Sequence, residues 1–281
     1  VKTLRERGIH VIDPDTGALG SGDTGVGRLR APEEIARRAL EVLNASALTD
    51  TSSLLAGRTI VVTAGGTREP IDPVRFLGNK SSGRQGLAIA MAGARAGATV
   101  RVIAANIDDS IMALVPPSIG VTRVGSALEM REATMSMVTD ADALVMTAAV
   151  ADFRPETISA SKIKKDPTTS DAPILRLVRN PDILSEIGHS DERPPLVIGF
   201  AAETGTDEEI LAYGADKAAL KGANFIALNR VGACVGFGDV PNDVRLLDAS
   251  GTVVGRYTGS KEEVGAGLVG QIAAFLDSLE R

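Results

Sequence analysis

The chain has 281 residues, 44% of them hydrophobic, and 36 Asp+Glu against 30 Lys+Arg leave a net charge of −6. This length suits one α/β core with an extra segment, and the charge argues against nucleic-acid binding through bulk positive charge. One cysteine, Cys234, excludes an intrachain disulfide and a cysteine-only metal site and suits a reducing cytoplasm; no apolar run approaches the roughly 18 residues a membrane span needs.

Residues 1–30 are rich in Gly and Asp, above all between Gly17 and Gly27. A helix is expected over Pro32–Leu43, because proline in a first turn sacrifices no intrahelical bond. The Ser/Thr-rich run at 46–56 reads as a linker, which leaves 57–281 as the main domain. No secretory signal is visible, and the start at Val1 suggests a fragment or processed product. With no Trp, two Tyr and six Phe, aliphatic side chains must fill the core.

Within the main domain, strand and helix patterns alternate. Thr59–Val62 is β-branched and reads as a buried strand, and alanine-rich Leu87–Ala96 as a helix. Thr99–Ala104 and Ala143–Thr147 are strands, with helix Ala127–Thr139 between them. Leu175–Val178, Leu196–Phe200 and Asn224–Leu228 are further strands, with helix Asp207–Leu220 before the last. Asp243–Leu247 and Val253–Tyr257 flank a turn at Asp248–Gly251, and a helix over Gly259–Leu279 closes the chain. This rhythm predicts an α/β fold: a doubly wound, mainly parallel, Rossmann-like sheet with helices on both faces and a C-terminal β-hairpin.

In such sheets ligands sit beyond the carboxyl ends of the strands. The first crossover carries Gly65-Gly66-Thr67-Arg68 and Asn79-Lys80-Ser81-Ser82-Gly83. Glycines admit backbone N–H groups close to an anion, and a helix N-terminus adds roughly half a positive charge. The place reads as a phosphate cradle. Later strands are followed by Ala148-Ala149-Val150-Ala151-Asp152, by Arg179-Asn180-Pro181-Asp182 and by Phe200-Ala201-Ala202-Glu203. Each also has an ordinary structural reading. Gly-Gly is often only a tight turn, and the Gly-x-Gly-x-x-Gly spacing is absent. Asp152 could cap a turn, Asn180 or Asp182 a helix, and Lys162–Lys165 could be a solvated loop. Lys217 and Lys221 would ordinarily serve a helix dipole. Neither His10 nor His189 has a metal-ligand partner at useful spacing.

Taken together and in order, these segments resemble phosphopantothenoylcysteine synthetase, the cysteine-ligating domain of a bifunctional bacterial coenzyme A enzyme. The shared segments are Gly65–Arg75, Asn79–Gly83, Ala148–Asp152, Lys162-Ile163-Lys164-Lys165, Asn180–Asp182 and Gly199–Thr204. Residues 1–45 resemble the C-terminal tail of the flavin-dependent decarboxylase fused upstream, with Gly20–Leu29 matching its substrate-clamp loop and Ser21 replacing the usual cysteine. On that resemblance the FMN site and the catalytic His lie before Val1, so this chain alone is not expected to decarboxylate.

The resemblance implies activation of phosphopantothenate by CTP and Mg²⁺ to an acyl-cytidylate, then attack by L-cysteine with release of CMP. It assigns Asn79 to the acyl carbonyl in the second step and Lys162 to charge stabilisation in the first. Gly65, Gly66, Ser81, Ser82 and Gly83 would supply donors around the crossover, and Ala148 and Ala149 would leave room for substrate. Asp152 would meet the ribose or the metal, and Phe153, Asn180, Asp182 and Phe200 would line the nucleotide pocket. Lys217 and Lys221 match triphosphate-binding lysines, and Arg75 matches an arginine for substrate phosphate across a dimer interface. The implied assembly is a cytoplasmic homodimer, larger when fused to the decarboxylase, with no nucleic-acid or membrane partner. The family often reads Asn-His-Ser-Ser-Gly-Lys-Met-Gly where this chain has Lys80, Arg84 and Gln85, so roles tied to that His or Met do not transfer. Two other readings remain open: an NAD(P)-dependent reductase, with Asp108 or Asp109 near the second strand, and a non-catalytic nucleotide-binding module.

Overall fold

The computed structural model describes residues 1, 3–4, 9, 11–18, 24–38, 53–165, 168, 172–203, 206–230 and 242–281. The chain divides into two compact units, Val1–Ser52 and Ser53–Arg281. In the first, β1 (Asp15–Ala18) and β2 (Thr24–Arg28) pair antiparallel, and residues 32–38 are helical. The remainder of the expected Pro32–Leu43 helix, the clamp-loop residues 19–23, Thr204, and Cys234 within 231–241 lie outside the described residues.

The second unit is built on an eight-stranded sheet ordered β14-β13-β12-β11-β8-β3-β6-β7. Its strands are β3 (Thr59–Gly65), β6 (Thr99–Ala105), β7 (Gly120–Val124), β8 (Ala143–Met146), β11 (Leu196–Glu203), β12 (Phe225–Arg230), β13 (Asn242–Asp248) and β14 (Val253–Gly259). The run from β7 to β12 is parallel throughout, and the β13–β14 hairpin extends it antiparallel. β3 and β8 are buried along nearly their whole length, as strands covered on both faces must be. Edge strand β7, by contrast, is largely exposed, so no continuous apolar run announced it.

Helices α1 (Arg84–Arg95) and α6 (Lys261–Leu279) cover one face; α3 (Ala127–Val138), α4 (Ile183–Gly188) and α5 (Asp207–Lys221) cover the other. The short α2 (Asp109–Met112) follows β6. Val264, Leu268, Ile272 and Leu276 give α6 one buried stripe at helical spacing. Phe225 and Phe275 meet edge to face, 5.4 Å between centroids. Leu55, in the expected linker, is only 1% exposed and its N–H donates to Ala96 O, so the core takes in residues before Gly57.

Two small antiparallel ribbons stand apart from the main sheet: β4 (Arg68–Pro70) with β5 (Phe76–Gly78), and β9 (Phe153–Pro155) with β10 (Leu177–Arg179). The expected strand Leu175–Val178 therefore belongs to a side ribbon, shifted toward Arg179, and not to the parallel sheet. Its residues are mostly exposed, so they gain little from the core.

Candidate functional site

Consecutive strands diverge at the centre of the sheet: β3 leads outward through β6 to β7, while β8 starts the run toward β12 on the opposite side. This switch point is where a doubly wound sheet opens a crevice. The carboxyl ends of β3 and β8 are laced together there. Thr147 donates to Thr63 O through both its N–H and its hydroxyl, and Ala148 N–H donates to Thr63 Oγ1 at 3.2 Å. Ala149 N–H donates to Gly65 O at 2.8 Å, and Ala151 N–H to the buried Thr67 hydroxyl at 2.9 Å. The alanine segment is thereby held against the glycine turn.

The turn itself serves packing more than ligand. Gly65 has φ of 90°, and a Cβ there would lie 2.0 Å from Ala105 O. Gly66 N–H donates to Ala105 O at 3.0 Å, so the donor expected to face a phosphate is already taken. Asn106, itself left-handed at φ 48°, ties this turn down further, donating to Gly66 O and Gly125 O.

Open donors lie one segment later. α1 starts at Gly83, which has φ of 76° and no side chain with which to cap the helix; no acidic residue sits in the first turn. Its leading N–H groups therefore lack side-chain acceptors, which is the arrangement that receives an anion. Gly83, with Lys80, Ser81, Ser82, Arg84, Gln85 and Gly86, lines a cavity of about 170 Å³ completed by Thr147, Ala148, Ala149, the β11 residues Phe200–Ala202, Asn229, Asn242 and Lys261. Three cations and no carboxylate surround it.

A second cavity, of about 630 Å³, shares Ala148, Phe200 and Ala201 with the first. Its walls include Asp152, Phe153, Asn180, Asp182, Lys217 and Lys221. Asp182 caps α4 by accepting Ser185 N–H at 3.0 Å, and its other oxygen pairs with Lys221. Lys217 pairs with Glu203 at 2.5 Å. Both lysines are thus drawn to this wall by carboxylates, and Glu203, which has no role in the resemblance, is one of them. The Asn180 amide is committed at both ends, donating to Ala151 O at 2.7 Å and accepting from Arg154 at 3.0 Å. It braces the wall, whereas Asp152 is exposed and faces the cavity. Gly66 is bridged to Ala149, and the side chains of Asp152 and Lys221 line one cavity.

Asn79 ties the loop before α1 to the alanine segment, donating to Val150 O at 3.1 Å. Lys162 is exposed and lines neither cavity, but its neighbour is gripped firmly. The buried Asp72 accepts Ile163 N–H at 3.1 Å and the N–H groups of Val74 and Arg75 at 2.8 Å each. Arg75 donates to Ile163 O at 3.2 Å and pairs with Asp72 at 3.4 Å. In this chain Arg75 therefore anchors the lysine loop to the β4–β5 arm, and it lines a separate groove there. Burial opposes ionisation of Asp72, but the N–H donors of Val74, Ile163 and Arg75 and the Arg75 charge outweigh it and hold the carboxyl below the ordinary range. Its contribution is full above the usual carboxylate pKa of about 3.9 and disappears as pH falls through the lower folded value. Asp72→Asn is expected to free the loop at neutral pH, with trypsin cutting at Lys162–Lys165 about fivefold faster than in wild type. An unchanged cleavage rate would show that the anchor contributes nothing.

The carboxylates that kept the reductase reading open are otherwise occupied. Asp108 caps α2, accepting Ser110 N–H at 2.9 Å, and Asp109 pairs with Arg123 at 2.8 Å. Among the described residues, no group of three or more His, Cys, Asp or Glu could hold a metal, and no helix is long and apolar enough to cross a membrane.

Comparison with known proteins identifies the family and the fold. The chain is 42% identical over 285 residues to the coenzyme A biosynthesis bifunctional protein CoaBC of Mycolicibacterium smegmatis, covering 99% of this chain and 67% of that protein. It is 38% identical over 231 residues to the Escherichia coli protein of the same name, covering 82% of this chain and 54% of that one. The chain thus spans between half and about two thirds of the length of these relatives. A crystal structure of the C-terminal domain of CoaBC superposes with a TM-score of 0.64 at 32% identity, covering 81% of this chain and all of that one. Residues 55–276 match the DNA/pantothenate metabolism flavoprotein C-terminal domain, and the chain belongs to that family.

Proposed function

We propose that this chain ligates phosphopantothenate to L-cysteine in coenzyme A biosynthesis, using CTP through an acyl-cytidylate. The observation that carries the reading is the pair of contiguous cavities at the switch point, one at an uncapped helix start and one walled by Asp152, Lys217 and Lys221. A carboxylate is a poor acyl donor. Its oxygen attacks the α-phosphorus of CTP, the bond to the bridging oxygen breaks, and pyrophosphate leaves. The cysteine nitrogen then attacks the acyl carbon, CMP departs, and the amine proton passes to solvent.

Attack of one anion on another requires positive surroundings. Lys217 and Lys221 supply them along the larger cavity; the α1 N-terminus with Ser81 and Ser82 supplies them in the smaller one. Asp152 would meet the ribose, with Phe153 and Phe200 beside the nucleotide. Ala148 and Ala149 keep the junction open, and Asn79 reaches the acyl carbonyl. Mg²⁺ fits as an ion carried on the triphosphate with Asp152 as its one protein carboxylate, neutralising phosphate charge, because the described residues build no cage of their own.

The relatives' names support a bifunctional parent and the matched family's name a flavoprotein; on this reading an upstream decarboxylase holds FMN, residues 1–45 end that domain and 57–281 are the ligase. A cytoplasmic homodimer of the ligase, larger when fused, completes the proposal. It is tested by mass spectrometry: phosphopantothenoylcysteine should form only when CTP, phosphopantothenate and cysteine are all present. Turnover of NADPH, or nucleotide bound but never consumed, would replace this reading.

A further inference from the structure

A further cavity, of about 430 Å³, is walled by α1, the α2 segment and the first turn of α6, and the proposed ligation makes no use of it. Its floor is apolar. Leu87 and Met91, one turn apart on α1, line it together with Ile111, Leu114 and Val115 from α2 and the loop that follows. Leu114 is 63% exposed, so an apolar occupant would remove hydrocarbon from water. The volume lies in the range of small-molecule sites.

Four charged residues also line it: Arg84, Lys261, Glu262 and Glu263. Two of them are committed. Lys261 donates its ammonium to Asn242 at 3.0 Å, and Glu263 accepts Ser260 N–H at 2.7 Å in the capping box of α6. Among the described residues, the side chains of Arg84 and Glu262 make no hydrogen bond or ion pair, with each other or with any other group. Arg84 is half-buried at the start of α1, and Glu262 is exposed in the first turn of α6, where the positive end of the helix favours its charge. Two opposite charges thus border one apolar cavity without meeting.

We infer that this cavity is a second small-molecule site, which takes a large aliphatic α-amino acid such as leucine. Arg84 receives the α-carboxylate, Glu262 receives the α-ammonium, and the floor takes the branched side chain. A planar guanidinium matches a carboxylate with two parallel hydrogen bonds, and a carboxylate accepts from an ammonium. A fatty acid would answer Arg84 but leave Glu262 facing a like charge, and an alkyl amine would do the reverse. Only a zwitterion with an apolar body satisfies both charges and the floor. Cysteine has the two charges but too little hydrocarbon to cover five apolar side chains, so this site is separate from the substrate amine of the ligation.

Titration calorimetry of the full chain, with neither CTP nor phosphopantothenate present, tests the site independently of the ligation reading. L-Leucine should bind at least about tenfold more tightly than each of three probes. These are 4-methylpentanoate, which lacks the ammonium, 3-methylbutylamine, which lacks the carboxylate, and L-alanine, which lacks the branched body. Glu262→Gln should cut the margin over 4-methylpentanoate by about tenfold, and Arg84→Met the margin over 3-methylbutylamine by as much. Leu114→Asp puts a charge on the floor at an exposed position and should weaken leucine by at least about tenfold. No heat from leucine at millimolar concentration, a margin that survives its own variant, or displacement of leucine by equimolar L-cysteine would overturn the site.

Discussion

Asn79→Ala is expected to stall the reaction halfway, with acyl-cytidylate accumulating while amide formation falls about a hundredfold, the usual cost of losing one oxyanion donor. The structure gives the reason. One Asn79 N–H is spent on Val150 O, which pins the amide between the β5–α1 loop and the alanine segment. In the proposed ligation the second N–H would polarise an acyl carbonyl held near Ala148 and Ala149. Cytidylation creates its charge on phosphate oxygens, away from that hydrogen, so pyrophosphate should still be released. Rapid quench followed by chromatography separates the two steps. Equal loss of both would show that Asn79 serves general positioning and not the second half-reaction.

Lys162→Gln is expected to have the opposite signature: pyrophosphate release falls by at least about a hundredfold, and no intermediate is seen. Lys162 is exposed and outside both cavities, but Asp72 and Arg75 hold its neighbour Ile163 by both N–H and C=O. An ammonium on a loop anchored one residue away can swing over the nucleotide without the whole segment being lost to solvent. Such closure adds charge when phosphorus is attacked and withdraws it for product release. A normal pyrophosphate burst from Lys162→Gln would make this lysine a bystander. A burst lost in Lys162→Gln but kept in Lys162→Arg would locate the requirement in the charge.

The fold was legible where residues are buried on both sides. Thr59–Val62, Ala143–Thr147 and Leu196–Phe200 are β-branched or apolar because helices cover both faces, and each became a central strand. β7 was missed because an edge strand needs no such run, and Leu175–Val178 was misassigned because an exposed ribbon looks like a short core strand. At the site, motif order brought Asp152, Asp182, Phe200, Lys217 and Lys221 to one cavity and Ser81, Ser82 and Gly83 to its neighbour. What order does not reveal is which hydrogen bonds a group has already spent. Gly66 offers its N–H to Ala105, Asn180 spends one N–H and its oxygen on the wall, and Arg75 holds a loop. Asn229, Asn242 and Lys261 carry no local signal at all, because only the folded sheet carries them to the start of α1.

The central claim is that the two cavities together activate a carboxylate at the expense of CTP before any amine is present. Mixing the protein with CTP, Mg²⁺ and phosphopantothenate, and withholding cysteine, should release about one pyrophosphate per site in a burst, followed by near silence until cysteine is added. Pyrophosphate that appears only with cysteine, or not at all, would contradict the account.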